Sequence, residues 1–166
     1  LLRPSCASNL EPDELLTEHG DAGGLQTSVG GVDRPHKRLV AVEIPAMLEN
    51  GAGAIVNLSS ANGLVGLAGM AAYTAAKHGI IGLTRSAALE LAESHVRVCA
   101  VAPGYVATPR ILESGQDVTE WMASQHPMKR LASREEVAEL VAYLLSERAA
   151  FMTGSVHSID GGYTAQ

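Results

Sequence analysis

Short apolar runs alternate with helical patterns along the sequence, and this alternation constrains the fold more than any other feature. Residues 54–58 (AIVNL) and 96–101 (VRVCAV) are short, apolar and rich in β-branched residues, as buried strands are. Between them, residues 71–93 are rich in Ala, Leu, Glu and Lys and contain no Pro, which predicts a long helix. A last strand is predicted at residues 155–159. Strands that alternate with helices in this way predict an α/β fold with a parallel sheet.

Two further helices are indicated by capping and by periodicity. Ser133 followed by Glu136 forms a capping box, and the apolar residues after it recur at helical spacing up to about Ser146. The predicted buried face of this helix consists of Val137, Leu140, Val141 and Leu144. Upstream of the first strand, Leu39 to Glu49 has the pattern of the end of a helix, in which Pro45 is expected to cause a kink.

Tyr73 and Lys77 stand four residues apart in a run made mainly of alanine and glycine. Four residues are about one helical turn, so both side chains project from the same face of the predicted helix. An ammonium group beside a phenol favours the phenolate form, which suits the pair to acid/base chemistry. The alternative is that the tyrosine packs with its hydroxyl at a surface while the lysine is solvated, and this pair alone does not separate the two.

Polar and turn-forming residues follow each of the first two strands. Ser59 and Ser60 come directly after the first strand, and Pro103 with Gly104 breaks the second, with Thr108 shortly after. Ligands of open parallel sheets bind beyond the carboxyl ends of the strands, where these residues are expected. A serine there can also simply close a turn or cap a following segment. Likewise, the proline and glycine either leave room for a flat ligand or form an ordinary turn.

In their order and spacing, these residues resemble the short-chain dehydrogenase/reductase family. The matching elements are Ser60, Tyr73 thirteen residues later, Lys77, the Pro103-Gly104 turn, Thr108 and the sequence SIDGGYTA at 158–165. The resemblance extends from about Leu39 to Gln166. It implies a Rossmann-like doubly wound parallel sheet that is incomplete, with its N-terminal strands missing, so that residues 38–166 form a partial catalytic domain.

The resemblance implies an NAD(P)-dependent oxidoreductase that transfers a hydride between a nicotinamide and an alcohol or ketone. By this likeness Tyr73 is the acid/base, Lys77 supports it and binds the cofactor ribose, and Ser60 donates a hydrogen bond to the substrate oxygen. The cofactor is expected to contact Tyr73, Lys77, Pro103, Gly104, Val106 and Thr108, of which the last four lie at the nicotinamide. The substrate is expected to contact Ser60, Tyr73 and Tyr105. The choice between NAD and NADP stays open, because the family's discriminating residue lies on a strand that this sequence does not contain.

The resemblance also implies partners and moving parts. A small-molecule alcohol or ketone is the expected substrate, and a homodimer or homotetramer is expected where the complete fold is present. The small residues Ala71, Ala72, Ala75 and Ala76 are expected to let their helix pack closely against the sheet and against a partner subunit. Residues 110–130, with Trp121, correspond to the family's mobile lid over the substrate, and a helical hairpin packed on the core is the alternative.

The N-terminal part departs from the family pattern. Family members open with a strand and a Gly-x-x-x-Gly-x-Gly turn that holds the cofactor pyrophosphate, whereas the glycines at 19–25 and 29–33 lack this spacing and follow no β-rich run. The family's relay asparagine, expected near Val32, is also absent. Residues 1–37 are therefore expected to be loosely ordered or unrelated to the family, as in a fragment or after a reading-frame error. The alternative function is a truncated non-catalytic remnant that keeps the dimerisation helices without cofactor binding. A family epimerase or dehydratase is a third possibility.

Composition excludes several other classes of protein. A net charge of −6 argues against a nucleic-acid surface, and no apolar run is long enough to cross a bilayer. We therefore expect a cytoplasmic location, with neither nucleic acid nor membrane as a partner. Cys6 and Cys99 do not make a disulfide framework, and Cys99 is expected to be buried and inert within its strand. The histidines show no ligand spacing, so no metal site is expected.

Overall fold

The computed structural model describes residues 44–166. The predicted segment 1–37, and residues 39–43 of the first predicted helix, lie outside this range. The described helices are α1 (Ile44–Asn50), α2 (Ala71–Leu91), α3 (Pro109–Leu112), α4 (Gln116–Ser124) and α5 (Arg134–Leu145). The strands are β1 (Gly53–Leu58), β2 (Val96–Pro103) and β3 (Val156–Ile159). Single turns of 3-10 helix lie at Ala61–Gly63, Ala92–Ser94, Glu147–Ala149 and Tyr163–Ala165.

The strands form a parallel sheet in the order β1-β2-β3, which confirms the predicted α/β fold. β1 pairs with Val96–Val101, and β3 pairs with Ala100–Pro103. β2 thus extends two residues past the predicted run. Pro103 is tolerated as its final residue because a proline there removes no hydrogen bond from the middle of the ladder. The next residue, Gly104, donates its N–H to the carbonyl of Ile159 at 3.1 Å and continues the pairing.

Helices cover both faces of the sheet. Successive side chains along a strand point to opposite faces, so neighbouring residues of one strand contact different helices. Val56 of β1 packs against the cluster beneath α5, whereas its neighbour Asn57 donates a hydrogen bond to Thr84 of α2 at 2.9 Å. The cluster beneath α5 has Cys99, Val101 and Leu144 at its centre, with Val137, Leu140, Val141, Met152 and Ile159 around them. Of the predicted buried face of α5, only Leu144 is fully buried, and the other three residues are partly buried against the same cluster.

Both ends of α5 are fixed by hydrogen bonds. The predicted capping box is confirmed: the Ser133 hydroxyl accepts from the N–H of Glu136 at 3.0 Å, and the Glu136 carboxylate accepts from the N–H of Ser133 at 2.8 Å. At the other end, the guanidinium of Arg97 on β2 donates to the carbonyls of Leu144 at 2.7 Å and Ser146 at 3.1 Å. These contacts satisfy backbone groups that a helix leaves unpaired at its ends.

The buried residues of the long helix α2 lie from its middle to its C-terminal end, and not at the alanines near its start where we expected close packing. Its buried residues are Ile80, Ile81, Thr84, Ala87, Ala88 and Leu91. The helix packs against the sheet as expected, but through these later residues: of the four alanines expected at the contact, Ala71, Ala72 and Ala75 are exposed and Ala76 is partly buried. The contacts along the helix explain this: Thr84 meets Asn57 within β1, whereas Lys77 meets Ser59 just after β1 ends. The turns before Lys77 therefore extend past the carboxyl end of the strand.

Three further findings concern cysteine, membrane-spanning helices and metal sites. Cys99 is 1% exposed, and its thiol donates to the carbonyl of Met152 at 3.3 Å, which confirms the buried thiol. Within residues 44–166, no helix combines the length and the hydropathy that a bilayer crossing requires. In the same part of the chain, no group of three or more His, Cys, Asp or Glu side chains is placed to hold a metal ion.

Candidate active site

The carboxyl end of β1 and the first turns of α2 place Ser60, Tyr73 and Lys77 at one edge of the sheet. Tyr73 lies in the part of α2 that extends beyond the strand, and its side chain is 41% exposed. The ammonium of Lys77 lies 5.6 Å from the centroid of the Tyr73 ring. A phenol that is open to a ligand and a cation close to it are therefore present together at this edge.

The side chain and the backbone carbonyl of Lys77 are both hydrogen-bonded to residues at the carboxyl end of β1, Leu58 and Ser59. Its ammonium donates to the carbonyl of Leu58 at 2.9 Å, and its own carbonyl accepts from the Ser59 hydroxyl at 2.9 Å. Burial lowers the pKa of Lys77 from the ordinary lysine value, because a partly buried ammonium loses hydration. An ammonium has three N–H groups, so the bond to Leu58 leaves two with which it can bind a ligand.

Ser60 caps a short turn. Its hydroxyl oxygen accepts from the N–H of Asn62 at 3.2 Å, at the start of the 3-10 turn Ala61–Gly63. The capping role that the sequence left open is thus present in the structure. It uses the serine oxygen as an acceptor only, so the hydroxyl hydrogen can still donate to the oxygen of a substrate.

The last residue of β2 and the turn after it carry the other predicted cofactor and substrate residues, Pro103 to Thr108. The end of β1 lies beside β2 just before this turn, because the N–H of Ser59 donates to the carbonyl of Val101 at 2.8 Å. Ala132 fixes the turn by exchanging backbone hydrogen bonds with Tyr105 at 3.0 Å and with Ala107 at 2.8 Å, on either side of Val106. Thr108 caps α3, where its hydroxyl oxygen accepts from the N–H of Ile111 at 3.4 Å. The backbone of this turn is therefore held by residues distant in sequence.

Tyr105 lies in an aromatic cluster. Its ring lies among those of Trp121, His126 and Tyr163, with centroid distances of 6.2, 5.5 and 6.4 Å. Burial raises the pKa of Tyr105, and the negative charges that Tyr163 and Tyr73 would carry when ionised raise it further.

His126 is a residue that the sequence analysis missed. It is 2% exposed, and its Nε2 accepts a hydrogen bond from the backbone N–H of Tyr105 at 3.1 Å. Gly104 lies against the ring so closely that a Cβ added there would stand 2.5 Å from Nε2. His126 follows the helix α4 in a segment with no histidine pattern, so no sequence signal identified it. Only its contact with the turn shows its place beside the site.

Behind the turn lies a cavity of about 200 Å³ whose lining includes His126, Arg130, Glu136 and Asp160. Asp160 lies in the SIDGGYTA sequence at 158–165 and is 8% exposed. Burial on its own would raise the pKa of Asp160, but hydrogen bonds from Thr164 and from the N–H of Gly162 outweigh it and lower the pKa. The lining also includes Gly104 and Tyr105 of the turn, whereas neither Tyr73 nor Lys77 lines this cavity.

Comparison with known proteins identifies relatives over most of the chain. Residues 36–164 match the family model described as enoyl-(acyl carrier protein) reductase. The cyclohexanol dehydrogenase of Acinetobacter sp. (strain SE19) is 48% identical over 124 residues, which are 75% of this chain and 48% of that protein. The acetoacetyl-CoA reductase of Acinetobacter sp. (strain RA3849) is 46% identical over 134 residues, 79% of this chain and 54% of that protein.

A solved structure gives the same result. The structure of ElxO with NADP bound matches with a TM-score of 0.71 and 38% identity, covering 78% of this chain and 53% of that chain. The chain spans about half the length of the relatives it matches. The family model describes a reductase, and the two relatives are a dehydrogenase and a reductase. The fold of the chain matches that of the NADP-bound structure. The chain belongs to the short-chain dehydrogenase/reductase family of oxidoreductases.

Proposed function

We propose that this chain carries the catalytic part of an NAD(P)-dependent oxidoreductase that acts on an alcohol or ketone, with Tyr73 as the acid/base. The observation that supports this most strongly is the environment of Lys77. Its ammonium is partly buried, lies 5.6 Å from the Tyr73 ring centroid and donates to the carbonyl of Leu58. A solvated surface lysine would have neither the bond nor the burial, so the positive charge is held where a phenolate needs it.

The described residues fit the nicotinamide part of the cofactor. Lys77 has two N–H groups for the ribose hydroxyls, and Thr108 has a hydroxyl hydrogen for the carboxamide. The turn at Pro103 and Gly104 offers backbone without bulky side chains. The pyrophosphate part is different, because the sequence contains no glycine-rich turn with the family spacing. When bound, NAD(P)H supplies the hydride for reduction of a ketone, and NAD(P)⁺ accepts it for oxidation of an alcohol.

The side chains of this chain then handle the substrate oxygen. Ser60 donates its hydroxyl hydrogen to that oxygen, where negative charge develops as the carbonyl is reduced. Tyr73 gives its proton to the same oxygen in reduction and takes one back in oxidation. Lys77 stabilises the phenolate that Tyr73 becomes after giving up its proton. Tyr105, in its aromatic cluster, lies on the substrate side.

The remaining features of the family belong to the same proposal. The substrate is a small alcohol or ketone, the cofactor is NAD or NADP, and the assembled enzyme is a homodimer or homotetramer in the cytoplasm. ElxO is a relative whose structure contains NADP. That cofactor is one of the two to be tested here.

Cofactor binding by the purified chain tests the proposal. We expect NADH or NADPH fluorescence to show saturable binding, and Lys77→Ala to weaken it about tenfold or more, since charge-assisted hydrogen bonds contribute roughly 1.5–3 kcal/mol. Arg85→Ala is the matched control, because it removes a positive charge from an exposed position on the same helix. Tyr73→Phe is expected to keep cofactor binding and to abolish turnover.

The alternative makes the opposite prediction. If neither cofactor binds at millimolar concentration, the chain is better described as a non-catalytic remnant that retains the helices of the fold. The missing glycine-rich turn is the observation that favours this alternative. Binding that is equally strong in Lys77→Ala and in the native chain would also contradict the proposed site.

A further inference from the structure

Ser59 lies next to the predicted catalytic serine but differs from it in its contacts. It is 5% exposed, so it is closed to a substrate. Its N–H donates to the carbonyl of Val101 at 2.8 Å, which fixes its backbone to β2. Its hydroxyl donates to the carbonyl of Lys77 at 2.9 Å, which fixes α2. This one residue therefore connects the sheet to the helix that carries Tyr73 and Lys77.

Gly63 encloses this contact from the other side. A Cβ added at Gly63 would stand 2.3 Å from the Ser59 hydroxyl oxygen and 2.8 Å from the carbonyl oxygen of Lys77. No side chain fits between the 3-10 turn and α2 at this point. The hydroxyl of Ser59 is therefore closely enclosed at the place where it bonds to the helix.

The two consecutive residues Leu58 and Ser59 bind opposite ends of Lys77. Leu58 accepts from the ammonium and Ser59 donates to the carbonyl, each at 2.9 Å. An α-helix advances about 1.5 Å and turns by about 100° per residue, so a small axial shift of α2 would move the Lys77 ammonium off the carbonyl of Leu58. The reach of the ammonium thus depends on where the helix backbone is held.

We propose that Ser59 is a positioning residue, whose hydrogen bond to the carbonyl of Lys77 sets the axial position of α2 and so keeps the Lys77 ammonium on the carbonyl of Leu58, at the end of β1. This inference rests on the proposed function for its meaning, since it names a residue that acts through Lys77. Ser59 itself touches neither substrate nor cofactor.

A second hydrogen bond between β1 and α2 offers a matched control. Asn57 donates to the hydroxyl of Thr84 at 2.9 Å, and that hydroxyl donates to the carbonyl of Ile80 at 2.8 Å. Thr84 is 0% exposed, so its environment is at least as buried as that of Ser59. It joins the same strand to the same helix, about two turns farther from Tyr73 than Lys77 is. Thr84→Val removes this bond with little change in volume.

The titration of Lys77 itself measures the positioning, without cofactor and without activity. The chain is labelled at lysine Cε and its resonances are followed by NMR against pH, with Lys77 assigned from the signal that Lys77→Arg removes. Only Lys37 and Lys129 add further signals. In the native chain, burial lowers the pKa of Lys77. We expect Ser59→Ala to shift the titration midpoint up towards the ordinary lysine range, Ser59→Cys to shift it less, and Thr84→Val to leave it in place.

Two results would overturn the inference. One is a Lys77 midpoint that does not change in Ser59→Ala. The other is an equal shift in Ser59→Ala and Thr84→Val, which would mean that any loosening between β1 and α2 has the same effect. Circular dichroism checks that each variant is folded, and if Ser59→Ala does not fold, the comparison of Ser59→Cys with Thr84→Val decides in the same way.

Failure of this inference is distinguishable from failure of the proposed function. A Lys77 titration that responds as expected in a chain that binds neither NADH nor NADPH supports Ser59 as a positioning residue and contradicts the proposed function. Cofactor binding together with an unchanged Lys77 titration in Ser59→Ala supports the proposed function and contradicts Ser59 as a positioning residue.

Discussion

The two sides of the candidate active site are held by different kinds of contact. On the helix side, which comprises Ser59, Ser60, Tyr73 and Lys77, the two bonds that Lys77 makes to Leu58 and Ser59 each join a side chain to a backbone carbonyl. On the turn side, which comprises Pro103 to Thr108, backbone groups of Ala132 and Ile159 bond to the turn, and the buried ring of His126 accepts from Tyr105.

This difference accompanies a difference in exposure. The helix side presents side chains, and Tyr73 is 41% exposed in a part of α2 that none of the strands described within residues 44–166 covers. The turn side is packed against the rest of the chain, with Gly104 against His126 and the backbone of Asp160. We infer that changes on the turn side mainly cost folding free energy, whereas changes on the helix side mainly displace reactive groups.

The largest effect is expected from Gly104→Ala. The added Cβ would lie 2.5 Å from Nε2 of a buried histidine and 3.1 Å from the Cα of Asp160, and neither neighbour can move away freely. We expect the free energy of unfolding to fall by about 3 kcal/mol, as overpacking of a closed position does. Urea denaturation measures this.

Gly66→Ala is the control for that prediction, because a Cβ there has no heavy atom within 4 Å. It should change the free energy of unfolding far less than Gly104→Ala. Equal effects of the two substitutions would mean that the turn side is not tightly packed, and the contrast between the two sides would be lost.

A smaller effect is expected at His126. His126→Leu leaves the N–H of Tyr105 without its acceptor, which costs about 1–3 kcal/mol for a buried donor. His126→Gln retains an acceptor oxygen and should recover part of the loss. Chemical denaturation of the two variants gives the comparison. The Lys77 titration should be the same in both, and a shift there would show that the two sides of the site are coupled.

The smallest effect concerns pH and the start of α5, behind the turn side. Hydrogen bonds from Arg130 and from the N–H of Ser133 lower the pKa of Glu136 from 4.5 to about 2. Because the folded pKa is the lower one, Glu136 contributes stability at pH values above about 4.5, and this contribution disappears as the pH falls towards about 2. The effect is small, since the ion pair is exposed to solvent.

The difference between variants reports this contribution. The urea midpoint of the native chain should decrease more steeply between pH 4.5 and about 2 than that of Glu136→Gln. Glu139→Gln, an exposed change on the same helix, should follow the native chain. If Glu136→Gln and the native chain have the same pH dependence, the bonds from Arg130 and Ser133 do not stabilise the start of α5.

Much of the fold could be predicted because it depends on neighbours in sequence. The strands are where short apolar runs predicted them, and the capping box at Ser133 has the predicted pair of hydrogen bonds. The Tyr73–Lys77 pair occupies one side of one helical turn, as its spacing indicated. The packing of α2 could not be predicted in this way, because alanines have the same pattern whether a strand lies beneath them or ends before them.

The sequence by itself determined the alternation of strands and helices, the helix cap and the one-turn spacing of tyrosine and lysine. Each of these depends on backbone periodicity or on a side chain bonding to its own turn. Only the tertiary structure decided that Ser59 bonds to Lys77, 18 residues away, and that His126 bonds to Tyr105, 21 residues away. Those partners are chosen by how the chain packs, because a serine or a histidine carries no local signal of which distant carbonyl or N–H it will meet.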